Sequence, residues 1–262
     1  MAFSAYSQTS FVASIPNDTR MDLVRASISL SEWHEISFWA QYKDYLGKTQ
    51  GVSSQTYSAI QKLAQTEKGG DEQKAFENGC EIIACRFNEL IVKHQYFNQI
   101  SHDHNGIIGF QFLQAEAMLD LIESARIYDQ SSLRNFRFLH NAFSADKLKQ
   151  AKYNMITNAL SLSPKEADTF FQVYFRYEQE CDYLMGETYD LFELFSVDAA
   201  DLTPLVSKNH GYNLLSLMKR EIKLKEKYFS EMNSAVGSSL AARFLAWEDY
   251  YSITCKMLHQ NQ

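Results

Sequence analysis

Apolar and aromatic positions recur along most of the chain at helical spacing rather than in alternation. Phe38, Tyr42 and Tyr45 stand at i, i+4 and i+7, and Ile60 and Leu63 carry the segment onward. Phe170, Tyr174 and Tyr177 repeat the spacing, followed by Leu184, Leu191 and Phe195. Such spacing gathers the rings on one stripe of a helix, which is read as core. The pattern predicts two sets of four helices. The first set covers 19–28, 32–66, 72–101 and 106–129, and the second covers 145–160, 164–196, 211–233 and 238–259.

The helix starts carry their own chemistry. Ser163-Pro164-Lys165-Glu166 reads as a capping box with proline at the first helical position. Ser31 is its counterpart, with His34 in place of the capping glutamate. Lys68-Gly69-Gly70-Asp71 and the stretch Ser196–Gly211, which contains Pro204, are read as breaks, as are Ser101–Gly106 and Asn233–Gly237.

One register relates the two sets. Residues 28–45, ISLSEWHEISFWAQYKDY, align with 160–177, LSLSPKEADTFFQVYFRY, at an offset of 132. The same offset pairs ELIVKHQYF, from Glu89, with EIKLKEKYF, from Glu221, and Phe112, Leu113 and Glu116 with Phe244, Leu245 and Glu248. Over residues 1–130 it gives 19 identities, where composition alone gives roughly 8. This predicts an all-α protein of two tandem related units docked into one body: 19–130, then a packed connector over 131–144, then 145–260. The connector is apolar (Leu133, Phe136, Phe138, Leu139, Phe143) and lacks Gly and Pro. Two arrangements are open: halves facing each other across a pseudo-two-fold axis within a monomer, or halves stacked end to end.

Composition narrows the function classes. With 18 Phe, 15 Tyr, 3 Trp and 45% hydrophobic residues the chain is not disordered. Its net charge of −7, with no long basic run, argues against a nucleic-acid partner. No apolar run is long enough to span a membrane. Residues 1–18 form an N-terminal extension in which Ala5-Tyr6-Ser7 before Gln8 matches the cleavage end of a secretory signal, although the apolar segment of such a signal is missing. The expectation is a periplasmic or otherwise exported protein; an ordinary frayed terminus is the alternative.

Candidate chemistry is sparse. Cys80, Cys85, Cys181 and Cys255 form no zinc spacing and are read as buried thiols. None of the seven histidines follows a glutamate by three residues, which removes the di-iron bundle signature. His102-Asp103-His104, with His94, is the best metal candidate, two imidazoles and a carboxylate being a workable ligand set. Its position in a predicted turn favours a solvated polar segment instead. Glu116 and Glu248 recur at the offset, as do Glu89 and Glu221. Paired carboxylates can serve acid–base chemistry, but Glu89 lies four before Lys93 and Glu221 four before Lys225, so helix-surface pairing is the reading for all four. No nucleophile elbow, phosphate-binding loop or dinucleotide glycine pattern occurs. No enzyme, cofactor or metal requirement is expected.

The stretch LSLSPKEADTFFQVYFRY at 160–177 resembles the opening of the Spy/CpxP-like periplasmic helical proteins of the Bacteroidetes type. Lys225-Glu226-Lys227-Tyr228-Phe229 and the segment Ala241-Ala242-Arg243-Phe244-Leu245-Ala246-Trp247-Glu248 look like that family's later helices. The resemblance covers nearly all of the second unit and, through the offset, reaches the first. It implies a curved four-helix subunit, a homodimeric cradle, and ATP-independent chaperoning or envelope-stress sensing. The expectation is therefore a non-enzymatic cell-envelope protein that binds unfolded or envelope polypeptides through a helical surface. The alternatives are a structural or assembly module without a client and, third, a metal-binding bundle.

Overall fold

The structure is a computed structural model and describes residues 17–66, 70–128, 153–154, 156–197 and 202–258. Its long elements are α1 (Asn17–Ser27), α2 (Glu32–Thr66), α3 (Glu72–Asp103), α4 (Gly106–Tyr128), α5 (Pro164–Val197), α6 (Pro204–Val236) and α7 (Ser238–Leu258). Residues 153–154 and 156–159 are also helical. The fold is all-α and packs into one body. The connector 131–144 and residues 1–16 lie outside the described residues, as do the side chains of Cys255 and Phe195.

Local chemistry sets the helix ends. At α5 the Ser163 amide donates to Glu166 Oε2 at 2.9 Å, and the Glu166 amide donates to Ser163 Oγ at 3.4 Å. The Ser163 hydroxyl, which donates to Glu166 Oε2 at 2.5 Å, and then the Ser163 amide hold the Glu166 carboxyl below the usual carboxylate range. The expected break at Ser196–Gly211 is shorter than read, because Pro204 opens α6 instead of interrupting the chain. Thr203 is the N-cap, its hydroxyl accepting from the Val206 amide at 3.3 Å. Proline is well placed there, since its missing N–H has no helical partner to lose. Helix α6 thus gains nearly two turns over the expected 211–233. The other end of α6 stops at Gly237, whose φ of +89° admits glycine and strains other residues. Helix α3 runs to Asp103, so His102 and Asp103 sit in its last turn, not in a loop.

The predicted aromatic stripes are core. Phe38, Tyr42, Tyr45, Phe170, Tyr174 and Tyr177 are all buried. Ring geometry repeats at the offset of 132. Phe38 and Trp39 meet at 5.2 Å and 85°, Phe170 and Phe171 at 5.3 Å and 85°. Tyr45 and Tyr96 meet at 5.5 Å and 63°, Tyr177 and Tyr228 at 5.5 Å and 61°.

The two cores interleave the sequence. One is built from α1, the first half of α2, the end of α3 and α4, with Leu191 and Phe192 from α5 and Leu214 and Leu215 from α6. The other is built from Ile156, Leu160, the start of α5, the end of α6 and α7, with Ala59, Ile60 and Leu63 from α2 and Ala75, Ile82 and Ile83 from α3. Helices α3 and α6 carry the junction, each packing on the other and on both α4 and α7.

Two close approaches fix that junction. A Cβ on Gly211 would lie 2.3 Å from the Phe97 ring, and a Cβ on Gly79 would lie 2.3 Å from the Phe229 ring. Gly79 and Gly211 are 132 apart, as are Phe97 and Phe229. Each half therefore puts its phenylalanine on the other half's glycine. Reciprocal contact of this kind arises from a two-fold rotation and not from a translation, which would repeat the contact in one direction only.

Candidate functional site

Four places were candidates for chemistry: the recurring carboxylates, the histidines at the end of α3, the cysteines and the outer helix faces.

Glu116 is not a surface residue. It is fully buried and accepts from Tyr42 Oη at 2.8 Å, Tyr45 Oη at 2.8 Å and Arg20 Nη2 at 2.7 Å. Burial, reinforced by the Glu116 charge, pushes both tyrosine hydroxyls well above their ordinary range. In the second half Tyr177 Oη donates to Glu248 at 2.7 Å. Glu89 and Lys93 do form the expected i, i+4 pair, at 3.4 Å, but nearly out of solvent. Lys93 also bridges to Asp120 at 2.6 Å. Burial opposes its charge, yet Asp120, Glu89 and Glu116 outweigh that and raise its pKa. These groups bond to one another within the core, as a buried polar network does. The sequence reading missed this because helical periodicity places a residue on a face without saying whether a neighbouring helix covers it.

The metal candidates part company. His102 is solvated, with Nδ1 2.8 Å from Asp103 Oδ1, and Asp103 accepts from Gln41 Nε2 at 2.6 Å. His104 turns inward, edge-on to His34 at 5.0 Å and to Phe38 at 5.9 Å. His94 packs edge-on against Tyr212 at 6.0 Å. Among the described residues no three His, Cys, Asp or Glu groups gather as a metal set. Of the cysteines, Cys85 is buried, but Cys80 is exposed, contrary to the buried-thiol reading. Cys181 is half-buried, and burial with the nearby Glu248 and Glu221 charges pushes its thiol up to about 12.

The outer face of the second half differs in kind. Between α5 and α6 runs a groove of about 390 Å³ lined by Gln179, Glu180, Tyr183, Leu184, Arg220, Lys223, Leu224 and Lys227. Helical spacing puts Arg220, Lys223 and Lys227 on one face of α6 at i, i+3 and i+7. Arg220 pairs with Glu187 at 2.7 Å and Lys227 with Glu180 at 2.7 Å. Glu180 also accepts from Tyr228, and these bonds hold its carboxyl below the usual range. Lys223 is exposed and has no ion-pair partner among the described residues. Tyr183 stands 65% exposed at the rim.

The face between α2 and α3 at the offset of 132 has an apolar floor too, but above it only one cation, Lys48 at the Glu180 position, which pairs with Asp44 at 3.4 Å. Val52 and Val92 replace Leu184 and Leu224. Gly47, Gly51, Asn88, Ile91 and Gln95 stand where the second half has Gln179, Tyr183, Arg220, Lys223 and Lys227. The halves agree in the core and diverge at this groove.

No family model, curated protein or solved structure matches this chain.

Proposed function

We propose that the chain is a non-enzymatic, chaperone-like polypeptide-binding protein, made of two duplicated helical halves fused into a single-chain pseudo-dimer, with the α5–α6 groove as its binding face. The observation that carries this is the divergence just described. Side chains that pack the cores match across the offset, while the solvent-facing set of one groove carries an aromatic rim and three cations where its counterpart carries no ring and one cation, Lys48. A purely structural role places no such demand on one outer face and not on its counterpart. The duplication rests on the identities at offset 132 and on the reciprocal contacts of Phe97 with Gly211 and Phe229 with Gly79. An envelope location rests on the Spy/CpxP-like stretches and on Ala5-Tyr6-Ser7-Gln8 alone.

Suppression of aggregation of a denatured protein, followed by light scattering, tests the reading. The full chain is expected to suppress aggregation at near-stoichiometric ratios and without nucleotide, and Tyr183→Ser to weaken the effect. No suppression by a folded, monomeric chain would remove the proposal.

A second reading, an assembly module, is favoured by Trp33 and Ile36. They are 92% and 84% exposed and lie one turn apart at the start of α2. A symmetric dimer that dissociates on Trp33→Ser would establish that reading instead.

A further inference from the structure

Resting on the polypeptide-binding reading, we infer that the α5–α6 groove takes an acidic amphipathic helical segment, with carboxylates against the α6 cations and an apolar side chain against the groove floor.

The argument begins with charge. The chain as a whole carries −7, yet the groove lining holds Arg220, Lys223 and Lys227 against the single carboxylate of Glu180. Two of the cations are already committed, Arg220 to Glu187 and Lys227 to Glu180. Lys223 stands between them and supplies the unmatched positive charge. A basic or neutral segment would gain nothing from it and would meet the outer cations as well. An acidic segment satisfies it directly and can share the flanking pairs.

Spacing sets the form of the segment. Arg220 and Lys227 are seven residues apart on a straight helix, about 10 Å along its axis. Carboxylates at i, i+3 or i+4, and i+7 of a second helix repeat that interval. A helix laid along two others is also the way to seat an apolar side chain between them, here against Leu184 and Leu224 under the Tyr183 ring. Tyr183 is a rigid, amphipathic contact whose burial on binding costs little conformational entropy. The counterpart face offers Ile91 at the Lys223 position and Gly51 at the Tyr183 position, and its one cation, Lys48, is paired with Asp44, so it lacks both the unmatched charge and the ring.

Fluorescence anisotropy on the full chain tests this with three labelled peptides of about 22 residues, two turns longer at each end than the α6 cation span. One carries Glu at i, i+3 and i+7 with Leu on the adjoining positions, the second replaces each Glu with Lys, and the third scrambles the first. The acidic peptide is expected to bind at least tenfold tighter than the other two, and more weakly as salt is raised. Lys223→Glu is expected to lose at least tenfold. Ile91→Glu, the same change at the counterpart position, is expected to leave binding unaltered; both sites are exposed, and circular dichroism confirms that both variants fold. Equal binding of the acidic and basic peptides, undiminished binding by Lys223→Glu, or preferential binding of a single-stranded oligonucleotide or of phosphatidylglycerol vesicles would overturn the inference. If the acidic peptide fails while aggregation is still suppressed, only the partner chemistry falls; if both fail, the polypeptide-binding reading falls with it.

Discussion

Tyr45 donates its hydroxyl to Glu116 across the interior of the first core, at 2.8 Å, from a side chain that is 1% exposed to one that is fully buried. The same carboxylate is held by Arg20 at 2.7 Å. A buried charge that loses a partner is left to bear its desolvation alone. Tyr45→Phe is therefore expected to cost about 1.5–3 kcal/mol, and Arg20→Met about 3–5 kcal/mol. Urea denaturation of each variant measures both. Losses below about 0.5 kcal/mol, the range of surface substitutions, would place Glu116 in contact with water.

The helix crossing at Gly211 predicts a contrast between glycines. Gly211→Ala drives a methyl group into the Phe97 ring and is expected to cost about 1–3 kcal/mol, as is Gly79→Ala against Phe229. Gly51→Ala meets nothing within 4 Å, so the gain in helix propensity is expected to stabilise the fold by about 0.4–1 kcal/mol. Opposite signs in thermal midpoint are the check, and equal shifts would mean that α3 and α6 do not approach so closely.

Acid sensitivity follows from His104. Partial burial and the facing His34 imidazole lower its pKa below the ordinary 6.5, with Asp103 opposing. The unfolded chain therefore takes up a proton at a pH where the folded one resists it. That contribution to stability is intact above about pH 6.5 and is lost as pH falls through that value toward the folded pKa. The urea midpoint is expected to drop less between about pH 7.5 and pH 5.5 in His104→Gln than in the parent. An identical drop in both would assign the acid sensitivity elsewhere.

At the start of α5 the reciprocal bonds between Ser163 and Glu166 predict a loss of about 0.5–2 kcal/mol for Ser163→Ala. Ser31→Ala is expected to cost less. Its hydroxyl lies 3.2 Å from His34 Nδ1, and His34 supplies no carboxylate to return the bond. The ranking of the two thermal midpoints tests the difference.

Helix type and most helix ends were legible because they depend on neighbours in sequence. Spacing exposed the Phe38 and Phe170 stripes, and Ser163 marked a start. Pro204 was misread because proline ends a helix when it is interior and begins one when a residue such as Thr203 caps the turn, and the two cases differ by position alone. Glu116 and Cys80 were misplaced for another reason. Their burial depends on which helix from the distant part of the chain covers them, and no local period carries that. The groove was hidden similarly: KREIKLKEK reads as a solvated charge run until α5 brings Tyr183 and Leu184 alongside it.

The exchange of core residues between halves has a temporal consequence. During synthesis the first core waits for Leu191, Phe192, Leu214 and Leu215, which leave the ribosome long after α4 is complete. At roughly 5–20 residues per second, the emerging first half spends several seconds with an apolar seam uncovered, and it closes only when the second half arrives. The nascent chain is for that interval a substrate for chaperones in its own right. Once closed, neither half can open its core without opening the other's, so the finished molecule is expected to melt in one step.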